Sequence, residues 1–256
     1  MTTTLQESVA STVAAAFPFS VDKLPLYGPE NLPTPHYGLF KSDDGKCLRT
    51  AVKQGYVPHS IDDVAAMAEA GALAFGNGLD AKVKCSWGGN GHRVVIEPSD
   101  TFRRSVFRST DNIFPRLIIK ADFGRSFTAT CGMYRDLCDN LMMTSSVQKV
   151  TFKVRHTSSL RTKMDELISD FKQVGDRFDN VYELAVNLEQ RRTNVLDFVA
   201  RLYPVDDAAS ERAIEASKRR AKKIFQRLVS ERERAGRDDS MSDEGSVWEI
   251  TQAVLG

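Results

Sequence analysis

Apolar and polar residues alternate with a period of two in several stretches in the middle of the chain. The stretches are 81–87, 92–97, 116–123, 125–134 and 148–156. In the last of them, the apolar residues Val150, Phe152 and Val154 alternate with threonine and basic residues. Because successive side chains of a β-strand point to opposite faces, each stretch predicts a strand with one buried face.

The polar sides of these predicted strands carry far more lysine and arginine than acid. If the strands pair as one sheet, its outer face carries the acidic residues Glu97 and Asp122 against eight basic residues. Those eight are Lys82, Lys84, Arg93, Arg116, Lys120, Lys149, Lys153 and Arg155. A field of this sign attracts phosphate groups, so we predict that these eight residues bind nucleic acid.

Helical spacing of apolar residues dominates the rest of the chain. Ser60 caps a predicted helix over 60–74, and several helices are predicted from about 162 to 235. Short helices are also expected over 5–17 and 135–143, and a C-terminal segment containing Trp248 and Ile250 follows an acidic, polar link. Residues 18–40 contain five prolines and indicate an extended arm, which either wraps its own domain or crosses to a neighbouring subunit.

Together these elements predict an α+β chain. A central antiparallel β-sheet has one basic face and is backed and followed by helices. We divide the chain into an N-terminal helix and proline-rich arm (1–45), an α+β core (46–163), a helical region (164–235), and an acidic linker with a C-terminal segment (236–256). A homo-oligomer is expected, because the arm and the charged helix at 206–235 offer surfaces that one domain need not bury itself.

Charge is distributed unevenly along the 256 residues, although the net charge is only +1. Residues 81–163 contain 15 Lys and Arg against 6 Asp and Glu, a net charge of +9. The remainder therefore carries a net charge of −8. A basic centre with acidic ends favours anion binding by one region over a uniformly polyanion-binding chain.

The candidate catalytic and metal-binding residues form no recognisable set. The four cysteines, at 47, 85, 131 and 138, lack zinc-like spacing, and no base is spaced to activate one of them. The run Gly88-Gly89-Asn90-Gly91 indicates a hairpin turn rather than a nucleotide-binding loop. We therefore expect no enzyme, no metal and no cofactor. Since no stretch of about 18 apolar residues occurs, we also expect no membrane partner.

Several residues have two possible interpretations. His156 either packs in the core with a nitrogen bonded to the backbone while Arg155 is solvated, or lies beside a phosphate that Arg155 binds. The same choice between a structural or solvated role and a ligand-binding role applies to Arg103, Arg104, Arg108, Arg135, Cys138 and Asn140.

Three motifs resemble those of a known family. They are Arg135-Asp-Leu-Cys138-Asp-Asn140, Phe152-Lys-Val-Arg155-His156-Thr157 and Gly245-Ser-Val-Trp248-Glu-Ile-Thr-Gln252-Ala253. With them, residues 50–254 resemble the phage/plasmid-like proteins catalogued as domain of unknown function 932, although Gln252 stands where an asparagine is expected. The resemblance implies a mobile-element origin and the bacterial host cytoplasm. It implies no activity.

We predict a non-catalytic phage or plasmid protein that binds single-stranded DNA and anneals it during recombination or replication. A curved sheet with a basic face and helices behind it is similar in architecture to phage annealing proteins of the Red-beta, RecT and Erf type. Annealing requires capture of the backbone without readout of the bases, which lysine and arginine provide. The candidate stacking aromatics are Phe102, Phe107, Phe114 and Tyr134. The alternative is an oligomeric interaction protein of a mobile element, whose basic face binds an acidic protein or modulates a host factor.

Overall fold

The computed structural model describes residues 8–74, 81–100, 103–107, 111–135, 138–141, 150–171, 174–205 and 209–255. Its elements in chain order are α1 (Val9–Ala16), β1 (Val21–Tyr27), β2 (Pro33–Lys41), β3 (Cys47–Lys53), α2 (Ile61–Ala74), β4 (Lys82–Gly88), β5 (Gly91–Glu97), β6 (Arg104–Phe107), β7 (Asp111–Asp122), β8 (Phe127–Arg135), β9 (Cys138–Leu141), β10 (Val150–Val154), α3 (Leu160–Phe171), α4 (Val174–Glu189), β11 (Arg192–Asn194), α5 (Val195–Leu202), α6 (Glu211–Arg234), β12 (Glu244–Ser246) and α7 (Val247–Leu255). The predicted α+β fold with a central antiparallel sheet is confirmed.

The chain divides into two compact units, each assembled from separate segments. The first unit contains the described residues of Met1–Phe102, Pro115–Gly132 and Lys149–Asp176. The second contains those of Arg103–Phe114, Met133–Gln148 and Arg177–Gly256. Each unit has its own core.

Five strands in the order β10-β8-β7-β5-β4 form the five-stranded sheet of the first unit; β6 pairs with the start of β7, and β9 pairs with the end of β8. Helices α1, α2 and α3 pack on β4, β5 and β10 respectively. Their apolar side chains and those of the sheet form one core, in which Val94, Ile119 and Phe127 are fully buried. Because side chains alternate along a strand, the residues between these core positions point to the opposite face. All five predicted strands are present, as β4, β5, β7, β8 and β10.

The proline-rich segment is extended, as predicted, and its two strands pair with each other. β1, β2 and β3 form a separate antiparallel sheet in that order. Leu39, Leu48 and Val52 of this sheet pack around Phe123, which follows β7. The segment thus packs within the first unit, and its extended conformation is explained without a neighbouring subunit.

The second unit is mainly helical, as predicted for the later part of the chain. Val195, Val199, Ile224, Leu228 and Ile250 form the core between α5, α6 and α7. β11 pairs with β12, and the side chain of the residue before each helix caps α5 and α6. Within the described ranges, no helix is both long enough and apolar enough to cross a membrane.

The short helix predicted over 135–143 is wrong where the structure describes it. Arg135 ends β8, and β9 turns back along it, so that Tyr134 lies opposite Leu141 and Arg135 opposite Cys138. This pairing gives the backbone groups at the end of β8 hydrogen-bond partners, which a helix starting there would not supply. Residues 136, 137, 142 and 143 lie outside the described residues.

The β4–β5 hairpin provides a test of the register of the sheet. A Cβ atom at Gly91 would lie 2.6 Å from the Cα atom of Asp122 and 2.9 Å from the carbonyl oxygen of Ala121. Both are backbone atoms, so the strands must separate to admit it. We expect Gly91→Ala to lower the free energy of unfolding by about 2–3 kcal/mol in urea denaturation.

Gly88 at the other side of the same hairpin is the matched control. A Cβ atom there meets nothing within 4 Å, so Gly88→Ala should change the stability by less than about 1 kcal/mol. Equal losses for the two variants would contradict the close approach of β5 and β7 at Gly91.

Candidate nucleic-acid interface

One row of side chains crosses the face of the five-stranded sheet opposite α1, α2 and α3. Residues that face each other on paired strands point to the same side of a sheet. Lys153 of β10 lies opposite Thr128 of β8, and Arg93 of β5 lies between Lys120 of β7 and Ser86 of β4. The Thr128 hydroxyl donates to the Lys120 carbonyl at 3.4 Å, which joins the two halves of the row. Three exposed cations therefore share a row in which neighbouring strands are about 5 Å apart.

An open cleft of ≈660 Å³ lies where this row meets the turn between β7 and β8. Its basic lining residues are Lys120, Arg125, Lys153 and Arg155, all exposed. Of the residues described there, only Asp122 is acidic. The uncharged polar groups come from Tyr56, Ser126, Thr128 and His156. An excess of one charge inside a concave surface concentrates the field, so this cleft attracts anions.

Two further clefts adjoin the first one. A cleft of ≈380 Å³ shares Lys120, Asp122 and Arg125 with it and adds Arg93. On the other side, a cleft of ≈480 Å³ shares Tyr56, Gly124 and His156 and adds two basic residues of β3, Arg49 and Lys53. Because the clefts share lining residues, we treat them as one feature, the basic groove. Its seven exposed cations are Arg49, Lys53, Arg93, Lys120, Arg125, Lys153 and Arg155.

The turn between β7 and β8 favours glycine at position 124. Gly124 has a φ of 110°, in the left-handed region, and its N–H donates to the Tyr56 hydroxyl at 3.2 Å. A Cβ atom at this position would lie 2.8 Å from the guanidinium carbon of Arg49. The backbone angle favours glycine, and a side chain at this position would also displace the flexible end of Arg49. Gly124 thereby allows Arg49 and Tyr56 to meet the turn in the middle of the basic groove.

Tyr56 supplies the groove with an aromatic ring that carries a protonated hydroxyl. Its ring stacks on His156 with 4.8 Å between the centroids and 21° between the planes. Burial raises the pKa of Tyr56 to about 12, although the N–H of Gly124 acts in the opposite direction. The hydroxyl therefore keeps its proton at neutral pH and remains available as a hydrogen-bond donor.

His156 is buried and bonded to the backbone, as one of its two interpretations requires. Its Nδ1 lies 3.1 Å from the Val57 carbonyl oxygen, and its Nε2 lies 3.2 Å from that of Asp122. A neutral imidazole has one N–H and can donate to only one of these carbonyls. Burial lowers the pKa of His156, while its backbone hydrogen bonds oppose the change. The adjacent Arg155 is exposed in the basic groove.

His59 and His92 form a buried pair beneath the groove. His59 Nε2 lies 3.0 Å from His92 Nδ1, and the His59 ring stacks on Phe123 with 4.2 Å between the centroids. Burial lowers the pKa of His92 to about 4. Burial, and then the neighbouring histidines, lower the pKa of His59 well below its usual value. Both rings are therefore neutral at pH 7. Among the described residues, no three His, Cys, Asp or Glu side chains are placed to hold a metal ion.

The eight basic residues predicted from the sequence differ in their surroundings. Five of them are exposed and have no ion-pair partner in the described part of the chain: Lys84, Arg93, Lys120, Lys153 and Arg155. Lys84 is the member of this group that does not line the groove. Two others are held in ion pairs, Lys82 with Asp100 at 2.7 Å and Arg116 with Glu97 at 2.6 Å, so their charge is partly neutralised. Lys149 lies outside the described residues.

Sequence reasoning missed three cations of the groove, together with Tyr56. Arg49 and Lys53 lie on β3, where Leu48 and Val52 are buried and their neighbours are exposed. Three exposed residues separate Leu48 from Val52, and Ala51 has a φ of 61°, so β3 lacks the regular alternation that identified the central strands. Arg125 begins the predicted strand 125–134, but β8 starts at Phe127 and Arg125 lies in the turn before it.

Arg135 lies in the second unit and holds two carboxylates in its interior. Its Nε and Nη2 donate to the two oxygens of Asp111 at 2.5 and 2.8 Å, and its Nη1 donates to Glu231 at 2.6 Å. The Trp248 indole N–H also donates to Asp111, at 3.3 Å. Burial disfavours the charged guanidinium, but the hydrogen bonds and charges of Asp111 and Glu231 outweigh burial and raise the pKa of Arg135. Two of the three sequence motifs thus meet on Asp111, which supports a structural role for Arg135.

More buried charges connect the end of α6 to α7. Arg232 donates to Glu249 at 2.7 Å and to the Glu244 carbonyl at 2.6 Å, and Arg237 pairs with Glu249 and Glu189. Burial raises the pKa of Glu189, whereas Ser246 and Arg237 oppose the change. These groups are paired with one another inside the unit, which is typical of a fixed polar core.

The other sequence candidates of the second unit are also engaged in its structure. Arg104 pairs with Asp179 at 2.7 Å, and Arg103 lies over the Phe114 ring at 4.0 Å. Phe114 and Tyr134 are buried, so they offer no stacking surface. Phe102 and Arg108, and the side chains of Phe107, Cys138 and Asn140, lie outside the described part of the structure.

One protein family matches most of the second unit and some residues of the groove. Residues 105–256, more than half of the chain, match the Domain of unknown function (DUF932). The chain belongs to this family. The DUF932 match begins later than the predicted residue 50 and includes all three motifs. It contains Lys120, Arg125, Lys153 and Arg155 of the central cleft, whereas Arg49, Lys53 and Arg93 precede it. No curated protein and no solved structure matches the chain.

Acid should destabilise the first unit through its buried histidines. Because the pKa of His92 is about 4 in the folded state and about 6.5 in the unfolded state, the unfolded state binds more protons between these values. The contribution of neutral His92 to the free energy of unfolding is therefore fully present above pH 6.5 and is lost as the pH falls towards 4. We expect a loss of about 2 kcal/mol between pH 7 and pH 5 in urea denaturation. His92→Phe should reduce this pH dependence, and substitution of the exposed His36 by Gln should not; equal slopes for parent and His92→Phe would contradict the assignment.

Breaking the Arg135 network should destabilise the protein strongly. Arg135→Met leaves Asp111 and Glu231 buried without their cation, so we expect a loss of about 3–5 kcal/mol in urea denaturation. Neutralising the two acids as well, with Asp111→Asn and Glu231→Gln, should recover part of that loss. A fully stable single variant would contradict the structural role of Arg135.

Proposed function

We propose that the protein binds nucleic acid, and single-stranded DNA in particular, along the basic groove without acting on it chemically. The observation that supports this proposal most is the charge of the groove. Seven exposed cations line it, against one carboxylate among the described lining residues. Cations that contact phosphates release condensed counterions, which drives binding without any sequence preference.

The concave form of the groove favours a single strand over a duplex. Its three clefts, of ≈380, ≈660 and ≈480 Å³, place the cations in recesses of the surface. A flexible single strand can bend into such recesses, whereas a stiff duplex resists bending. Tyr56 lies in two of the clefts, so a base that enters beside the phosphates can contact an aromatic ring.

We propose annealing of complementary strands during recombination or replication of mobile DNA as the role of this binding. Lysine and arginine hold the backbone and leave the bases free to pair. The helices α1, α2 and α3 stiffen the sheet from behind and leave its basic face accessible. The expected homo-oligomer stays a prediction. The proline-rich arm supports it less than the sequence suggested, because the arm packs within its own unit.

Reversing two groove charges tests the proposal. Lys120→Glu/Lys153→Glu should lower affinity for a labelled single strand by at least about tenfold at 0.1 M salt, because two phosphate contacts are lost. The slope of log affinity against log salt should fall by about 1.4. Fluorescence anisotropy with matched single-stranded and duplex oligonucleotides across salt measures both quantities.

Lys46→Glu/Lys163→Glu is the matched control, because it changes the net charge equally. Lys163 lies on α3, which covers the opposite face of the sheet, and Lys46 lies in the β2–β3 turn; both are exposed. The control should bind like the parent. If the groove variant also does, the groove is merely solvated, and the alternative of an acidic protein partner replaces the proposal.

A further inference from the structure

The first half of α6 makes little contact with the rest of its unit. Of residues 211–223, only Ser217 and Ala221 are partly buried, and full burial begins at Ile224. At 1.5 Å per residue this exposed part is about 20 Å long. A helix that is polar on nearly all sides requires stabilising charge pairs or a partner that covers it.

Positive charge dominates this exposed helix. Residues 211–227 include the acids Glu211 and Glu215 against seven basic residues: Arg212, Lys218, Arg219, Arg220, Lys222, Lys223 and Arg227. Arg220 lies over the Tyr203 ring at 4.6 Å. The other six have no ion-pair partner in the part of the chain that the structure describes. The helix therefore presents a large unneutralised charge to solvent.

The spacing of these cations opposes helix stability. Lys218 and Lys222, Arg219 and Lys223, and Lys223 and Arg227 each lie four residues apart, where like charges repel. Opposite charges at this spacing stabilise a helix, and residues 211–227 contain one such pair, Glu215 and Arg219. An arrangement that weakens the isolated helix is explained if a polyanion supplies the missing negative charge.

We propose that the exposed part of α6 is a second nucleic-acid site, which binds the phosphate backbone independently of the basic groove. Arg212, Arg219, Lys222 and Lys223 fall within about 100° of one another around the helix axis and form one stripe. Apolar core residues such as Leu228 lie on the other side of the helix. Cations arranged in a stripe are sufficient to contact a phosphate backbone.

Other partners fit this stripe less well. A protein interface is usually centred on a large aromatic or aliphatic side chain, and the positions between these cations hold Ala216, Glu215 and Gln226 instead. An anionic membrane would need an apolar helix face, but Ile224 and Leu228 are buried in the unit, and Ile214 is the one large apolar side chain exposed in residues 211–223. A second copy meeting the same stripe would place cation against cation. This inference rests on the proposed function only for the class of ligand, a nucleic acid. With two sites, one chain can hold two strands.

Charge reversal on α6 separates a binding role from a structural one. Lys222→Glu/Lys223→Glu replaces repulsion with attraction towards Lys218, Arg219 and Arg227. We expect the melting temperature without DNA to rise by about 2 °C. At 0.1 M salt, affinity for a labelled oligonucleotide should fall by at least about tenfold, with a salt slope lower by about 1.4 for a single strand. A variant that is more stable yet binds more weakly cannot owe its loss to misfolding.

The groove variant and the Lys46→Glu/Lys163→Glu control, run in parallel, distinguish the two sites. If the α6 variant binds like the control, the helix is a solvated face and this inference is overturned, whatever the groove variant does. If the α6 variant loses affinity while the groove variant binds like the control, the α6 site stands and the groove proposal fails. If the α6 variant instead loses binding to polyglutamate or to anionic vesicles while its DNA binding is unchanged, the inference is also overturned.

Discussion

Burial of only one face of the five-stranded sheet is the constraint on which the first unit depends. α1, α2 and α3 pack on that face, and the strands alternate between it and solvent. Lys120 illustrates the consequence, since Ile119 and Ala121 on either side of it are fully buried. A shift of one residue would move the cation into the core and the apolar residues into water. The core therefore fixes the position of the cations, which need no contacts of their own.

The same constraint explains how much the sequence predicts. Alternation is a local signal, so the five central strands, their buried faces and the exposed positions of Arg93, Lys120 and Lys153 follow from it. The switch to helical spacing near residue 162 predicts the later helices for the same reason. Pairing between distant segments has no local signal. The groove joins β3 and the β7–β8 turn to the sheet, which is why Arg49, Lys53, Arg125 and Tyr56 escaped prediction.

Charged residues inside the second unit show a different limit of sequence reasoning. The pattern of α6 indicates a solvated helix with one apolar seam, yet Glu231 and Arg232 near its end are buried. Their burial depends on partners far away in sequence, Arg135 and Glu249, which no periodicity connects to them. The predicted Arg135–Met143 helix is wrong for a related reason. The Arg135 side chain donates to Asp111, and the backbone there pairs with β9.

Ionised groups play opposite parts in the interior of the second unit and on the surfaces of both units. Inside the second unit, each buried guanidinium faces carboxylates, because an unpaired charge in the interior would cost several kcal/mol. Along the groove and along the first half of α6, exposed cations outnumber the acids, which are Asp122 in the groove and Glu211 and Glu215 on the helix. Such surfaces repel themselves, and a protonated His59 or His92 beneath the groove would add to that repulsion. Burial keeps both rings neutral, so the positive charge stays at the surface, where a phosphate backbone can neutralise it.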